Sequence, residues 1–575
     1  MKLLRLKITD PNGFRSLQSG FEYYFRTEWD LQEEQGFAPF VCAGPNGSGK
    51  SNLLEVLAAI FFGIESRYLD FLPRQTTENG EELDVLAAAD TKPDAFELEY
   101  LIPHPTGDSP VEYKDAHVRI TKTAGNSPEL HWLNQTEFGL DASETLTRQQ
   151  AKQLLPEYIL GYSSGENEIL SLPFFKMRFV QVDEFWQALR DQQAYPGRPE
   201  SRLAYLDNTF SQAILLCNLL FEDTKTLQPF REDVGLAELK EFRIIIKRSI
   251  DVSAELAEAF GSDNPALSVD SETGHYTVNL MKLLEADEHS AENFDPMVTR
   301  LKRCATCTFL DEINDTLYLD YYVNEATRKA FRENFDQSPI ALFQALQVLL
   351  TLNLCSVSVE LKADLYQSDS LYVGETVPTL ASDERIMRFK NFWLSKTGID
   401  EPVLLKSLSD GENQLLHSLG LCLLFRNTNS LFLLDEPETH FNPDWRSNFI
   451  SRLYQCFQGS EKQPEMLITT HTPFLISDSK PEKVLVFKKK NGAVNISRPD
   501  YNTLGASINK ITMNTFGKRE TIGGHAQAIL EALRQRFTDG ENKEQLIDEI
   551  DHQLGDSVEK ILLIKTILDS MEAQD

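Results

Sequence analysis

The sequence predicts an α/β fold in two lobes, split by a mainly helical insertion, with an antiparallel β subdomain on the first lobe and a helical C-terminal tail. Three observations predict it. A glycine-rich turn, 44-GPNGSGKS-51, stands between a short apolar run and a long apolar helix pattern. Runs of period two, FELEYLI, AHVRITKTA and ELHWLN, follow one another from about 95 to 135 with Pro, Gly and Asp turns between them. From 386 to 490, strand and helix patterns alternate as they do in a layered α/β domain.

In chain order, 2-LLRLKI-7 alternates as a strand does, and 38-APFVCAG-44 is an apolar strand that ends at glycine. The segment 51-SNLLEVLAAIFFGI-64 is apolar on nearly every face, as a helix buried beside a sheet must be. Between 155 and 221 lie a strand, PEYILGY, a polar loop, SSGENE, and a helix, 211-SQAILLCNLLF-221. Helical patterns at 236-LAELKEFRIIIKRSI-250, 325-EATRKAFRENF-335 and 341-ALFQALQVLLTLNL-354 fill the middle, with two short strand runs and no sustained heptad, so a long coiled-coil arm is not expected. The second lobe reads as strand 386–395, loop and helix 407–425, strand 431–435, helix near 444–457, strand 466–470 and strand 484–489. The expected units are 1–160, 161–385, 386–500 and 501–575.

Length and composition bound the function. A chain of 575 residues is too long for one ordinary core, so two to four structural units are expected, and 41% apolar with 25% charged side chains is a globular composition. Its formal net charge is −32, which argues against a broad grip on nucleic acid, since such binders neutralise phosphates with a basic footprint. Local basic clusters at 488-KKK-490 with Arg498 and at 242-FRIIIKR-248 read as solvated faces. Seven scattered cysteines without a secretory leader fit a reducing compartment, and no apolar run is long enough for a membrane span, so a cytoplasmic protein is expected. Cys304 and Cys307 form a CxxC that lacks a second ligand pair at zinc spacing.

Four pieces carry chemistry. In Gly44, Pro45, Asn46, Gly47, Ser48, Gly49, Lys50 and Ser51, with Asn52 beginning the helix, the glycines let backbone N–H groups curl around phosphate oxygens. Lys50 suits the terminal phosphates and the Ser51 hydroxyl suits Mg²⁺. The strand 431-LFLLD-435 delivers Asp435 as a metal ligand and Glu436 as the group that polarises an attacking water. The stretch 408-LSDGENQ-414, with Ser409, Gly411 and Glu412, opens a helix 26 residues before Asp435, where a terminal phosphate can sit. His471 ends the strand 466–470 and is placed to bond the same phosphate.

The order and spacing of these pieces resemble the ATP-binding-cassette ATPases of the SMC and OLD superfamily, whose P-loop heads are split by an insertion. The resemblance implies ATP and Mg²⁺ as cofactors, GPNGSGKS as Walker A, LSDGENQ as the signature, LFLLDE as Walker B and His471 as the switch histidine. It implies a homodimer docked head to tail, with Ser409 of one chain capping the phosphate held by Lys50 of the other. A Q-loop glutamine on the metal is expected, with Gln181 as one candidate and the loop after PEYILGY as the other. Arg15, in Phe14-Arg15-Ser16, resembles a nucleotide-holding arginine. At 440-HFNP-443, Asn442 stands where the OLD-like branch tends to carry a second histidine, which puts dimer contacts at this D-loop in doubt.

Three functions compete. The compact insertion, the stretch 159-ILGYSSGENE-168 and the polar tail resemble the PtuA ATPases of Septu anti-phage systems, including those attached to retrons. That resemblance implies a separate HNH nuclease of the PtuB kind as partner, admits a higher oligomer, and in the retron versions a reverse transcriptase with its RNA–DNA product. An OLD-type enzyme would need a nuclease domain with a DxD pair after His471, and none is present. A DNA-repair ATPase of SMC type would need a long coiled coil or a zinc hook.

Overall fold

A computed structural model describes residues 1–34, 36–76, 82–84, 86–105, 113–141, 145–164, 169–271, 273–285, 296–517 and 522–572. At its centre is a seven-stranded sheet. Across it the strands run Leu203–Tyr205, Ile159–Ser163, Leu431–Asp435, Glu465–Thr470, Phe40–Ala43, Val484–Lys490 and Ala493–Ser497. All neighbours are parallel except the last pair.

Parallel strands covered on both sides read as near-continuous apolar runs, as 40–43, 431–434, 466–468 and 484–487 do. Phe40, Cys42, Leu431, Leu433, Leu467 and Leu485 point into one buried cluster, while Val41, Ala43, Phe432, Leu434, Ile468 and Val486 point into another. The helix Lys50–Tyr68 lies on the first of these faces, buried along most of its length. Helices Ser211–Phe221, Asp410–Leu424 and Pro443–Phe457 cover the second.

Beside the central sheet stands an antiparallel one of five strands, ordered Glu22–Tyr24, Lys2–Ile8, Phe96–Pro105, Tyr113–Lys122 and Glu129–Trp132. This is the β subdomain read from the sequence, joined by the N-terminal strand.

The middle of the chain departs from the sequence reading. Residues 236–250, read as a helix, form strands Leu236–Lys247 and Ser249–Val252. The first of these centres a second antiparallel sheet, ordered Cys307–Asp311, Thr316–Tyr322, Leu236–Lys247, Met387–Lys396 and Val403–Leu404. That sheet crosses the expected boundary at 385/386, pairing Ile244 with Phe389. The other boundary shifts as well, because strand Leu203–Tyr205 lies at the edge of the central sheet. A 19-residue helix, Leu172–Arg190, occupies a stretch between the polar loop and helix 211–221 to which the sequence reading assigned no element. The insertion is therefore mixed, with helices Met297–Cys304, Glu325–Asn334 and Pro339–Thr351 packed around strands.

The tail is helical as expected: Ile508–Phe516, then Gly524–Thr538, Lys543–Gln553 and Val558–Glu572. The last three enclose a small core of their own around Leu530, Leu533, Leu546, Ile550, Leu563 and Ile567. Among the described residues, no single helix is long and apolar enough to cross a membrane.

Candidate nucleotide site

The parallel strands Phe40–Ala43, Glu465–Thr470 and Leu431–Asp435 lie side by side, so the turns at their C-terminal ends meet at one edge. There a cavity of about 430 Å³ is lined by residues 46–52, Ile169, Glu436 and His471. Walker A and the end of Walker B, 385 residues apart in sequence, share this wall.

Gly49 ends the turn at φ 97°, and a Cβ on it would lie 2.8 Å from Ser16 Oγ. Only glycine fits both the backbone conformation and that approach. The Lys50 ammonium donates to the carbonyls of Gly44 at 3.1 Å and Pro45 at 3.2 Å. Burial pushes its pKa down, and the Glu436 carboxylate opposes that shift. Among the described residues the buried Ser48 hydroxyl has no hydrogen-bond partner, and an anion would be a natural acceptor for it.

Ser51 Oγ donates to Asp435 Oδ1 at 2.9 Å, and the Thr469 hydroxyl donates to the same oxygen. Burial raises the Asp435 pKa, while the bonds from Thr469 and Ser51 work against that rise. A hydroxyl and a carboxylate oxygen side by side form the donor pair a hard, oxygen-preferring cation takes.

Glu436 has φ 50°, the left-handed region that a non-glycine residue occupies at a cost of about 1 to 3 kcal/mol. Its N–H is held by Thr469 Oγ1 at 3.0 Å, and its carboxylate reaches His471 Nε2 at 2.7 Å. The bond from His471 holds the Glu436 carboxyl below its usual range.

The signature segment lies outside this cavity. Ser409 is exposed at the N-cap of helix Asp410–Leu424, in a capping box with Glu412, whose other oxygen pairs with Lys396 at 2.5 Å. A Cβ on Gly411 would fall 2.8 Å from the His440 carbonyl, so this helix and the loop after Walker B touch backbone to side. Gln414 Oε1 accepts from the His440 N–H at 2.8 Å and completes the contact. Asn442 caps helix Pro443–Phe457, accepting from the Trp445 N–H at 2.8 Å, which gives the departure at this position a structural use.

Two sequence candidates are placed elsewhere. Gln181 sits midway along helix Leu172–Arg190, buried, with neither side-chain atom hydrogen-bonded among the described residues and no share in the cavity wall. The rival loop after Ile159–Ser163 is the one that reaches the site. Ser164 N–H donates to the Asp435 carbonyl at 3.1 Å, its hydroxyl meets Thr439 Oγ1 at 2.8 Å, and Ile169 lines the cavity. Residues 165–168 of SSGENE lie outside the described residues. Arg15 turns to Glu55 Oε1 at 2.9 Å and the Asp369 carbonyl at 3.0 Å, not to the cavity. It bears on the site through its neighbour Ser16, which donates to Asn52 Oδ1 at 2.6 Å.

Sequence reasoning missed Thr469, which ties Walker B to its neighbouring strand, and Glu438, a fully buried carboxyl that accepts from Thr470. Burial pushes Glu438 up to about 7. The doubled threonine before His471 was the available signal for the first.

Residues 296–477 match the family described as AAA domain, putative AbiEii toxin, Type IV TA system. Those residues, about a third of the chain, hold 408-LSDGENQ-414, 431-LFLLDE-436 and His471 but not the glycine turn. A curated relative, protein ea59 of Escherichia phage lambda, is 25% identical over 129 residues, which are 22% of this chain and 24% of that one. The chain thus spans about a quarter of that relative's length. Among solved structures, an SMC head bound to the C-winged helix domain of ScpA aligns at TM-score 0.32 and 11% identity, over 87% of this chain and 98% of that one. The SMC head domain from Thermotoga maritima aligns at 0.30 and 11%, over 87% and 100%.

Proposed function

We propose that the chain binds and hydrolyses ATP at this cavity and does so as a head-to-tail pair. The observation that carries the reading is the 2.9 Å bond between Ser51 and Asp435, which puts Walker A and Walker B on one wall with Glu436 and His471 beside them. Ser51 and Asp435 would hold Mg²⁺, which when bound neutralises phosphate charge. Lys50 and the N-terminal end of its helix hold the phosphates. Glu436, kept ionised below its usual range, accepts the proton of the attacking water. Ser409 and its helix face outward, and a second copy is the source of a phosphate for them.

Glu436→Gln keeps the fold and removes the base. ATP turnover should fall at least a hundredfold, within the usual range for a lost general base. Light scattering with ATP should then show a dimer where the parent shows mainly monomer. A Glu436→Gln protein that stays monomeric with ATP and turns it over normally would refute the mechanism.

For the biological role, we infer the ATPase subunit of a bacterial anti-phage complex of Septu or retron type, which restrains or directs a separate HNH nuclease. The reading rests on the sequence resemblance to PtuA and on a net charge of −32 that suits a protein partner better than naked DNA. Co-expression with an HNH-nuclease reading frame beside the gene should give one complex on a sizing column. Failure of the two chains to co-elute, with each folded, would favour an ATPase of SMC or OLD type acting on DNA directly.

A further inference from the structure

A second cavity, of about 480 Å³, lies between helix Leu172–Arg190, the residues that open helix Ser211–Phe221, and the start of strand Met387–Lys396. It is slightly larger than the nucleotide site and shares no residue with it. Among the described residues its ionisable wall is wholly basic: Arg178, Arg385, Arg388 and Lys406, with no Asp or Glu. In a chain carrying 88 acidic residues against 56 basic ones, that segregation stands out from the average surface.

Three of the four cations lack a carboxylate. Among the described residues, Arg385, Arg388 and Lys406 form no ion pair, and Arg388 Nη1 is buried with no hydrogen-bond partner. Arg178 pairs with Asp207 at 2.8 Å, yet its Nε is also buried and unbonded. Buried guanidinium nitrogens are ordinarily satisfied, and the acceptor they lack is an anion. Phe175, Phe210 and Phe389 add flat apolar surface to the same cavity. Arg178 already lies over the Phe210 ring at 4.9 Å.

From this geometry we propose that the cavity binds a phosphorylated small molecule of nucleotide size, its phosphate held by Arg385, Arg388 and Lys406 and its ring set against the phenylalanines. A long nucleic-acid strand fits the observations less well, because the field around the cavity is that of a strongly acidic protein, which repels an extended polyanion. The position also gives the ligand a lever. Lys406 stands three residues before Ser409, at the entrance to the signature helix. Phe175 and Arg178 stand in the first two turns of the helix that follows the loop carrying Ser164 and Ile169 to the nucleotide site. A ligand bridging these walls fixes the signature relative to that loop.

The test uses the full chain carrying Lys50→Met, which disables the first phosphate cradle. Calorimetric titration is run with pyrophosphate, AMP, adenosine and a twelve-nucleotide single strand. AMP and pyrophosphate should bind at one site per chain, with adenosine at least tenfold weaker. Adding Arg385→Gln and Lys406→Gln, both at exposed positions where folding is not at risk, should weaken AMP at least tenfold, and Arg388→Gln should do the same. No binding of either phosphate probe, or equal AMP affinity with Arg385 and Lys406 both replaced, would overturn the proposal. Tight binding of the strand without binding of AMP would overturn it in favour of nucleic acid.

Discussion

His471 Nε2 lies 2.7 Å from Glu436 Oε1 and 3.1 Å from Lys50 Nζ, and one ring nitrogen serves only one of them. Protonated, it donates to the carboxylate; unprotonated, it accepts from the ammonium. Under the proposed function, a phosphate that draws Lys50 away would leave His471 with Glu436 alone, linking ligand contact to the proposed base through a single atom. Two residues beyond Glu436, Glu438 adds a pH dependence of its own. Its folded pKa of about 7 exceeds the ordinary 4.5, so the fold retains a proton that the unfolded chain has released. The favourable contribution is full below about 4.5 and lost as pH rises through about 7. Glu438→Gln should therefore match the parent near pH 4.5 and exceed it at pH 8 by up to about 3 kcal/mol. Thermal unfolding midpoints across that range read the difference, and parallel profiles for the two proteins would rule Glu438 out as the cause. At this scale the sequence was most informative about which residues meet: the glycine turn, Lys50, Asp435, Glu436 and His471, singled out by residue type, lie together. Thr469 and Glu438 were not legible, because their roles depend on which strand lies next to which.

Among the elements, the signature helix and the loop after Walker B are clamped by Gly411 against the His440 carbonyl and by Gln414 on the His440 N–H. Gly411→Ala inserts a methyl at 2.8 Å from a carbonyl oxygen. It should cost roughly 1 to 3 kcal/mol, as overpacking does. ATP-driven dimerisation should weaken at least tenfold while ATP binding to the isolated head, measured with a fluorescent analogue, stays within twofold. Equal loss of both would place the damage in the head itself. The strand Leu236–Lys247 shows why one element was misread. Its buried residues include Leu236, Leu239 and Phe242, a spacing of three that imitates a helix. Register shifts between 236 and 238, 239 and 241, and 241 and 243 produce that spacing, since each bulge adds a residue to an alternating pattern. Helix 51–64 and strand 431–435 were read correctly because one uniform burial environment surrounds each.

Across the whole molecule, the last three helices have a core separate from the two that sandwich the central sheet. Ending the chain after residue 521 should leave ATP affinity within twofold and the main unfolding transition within a few degrees, while removing association with any partner that docks on the tail. Calorimetry on the shortened chain checks this, and loss of the main transition would show that the tail supports the head. The central sheet has a further consequence, in biosynthesis. Strand Phe40–Ala43 pairs on one side with Glu465–Thr470 and on the other with Val484–Lys490, and Ser51 meets a partner 384 positions away. At about 5 to 20 residues per second, a ribosome needs roughly 20 to 80 s to cover that distance. Through that interval the strand and its apolar helix lack their neighbours in the sheet, so the nascent N-terminal segment is a client for chaperones long before its sheet is complete.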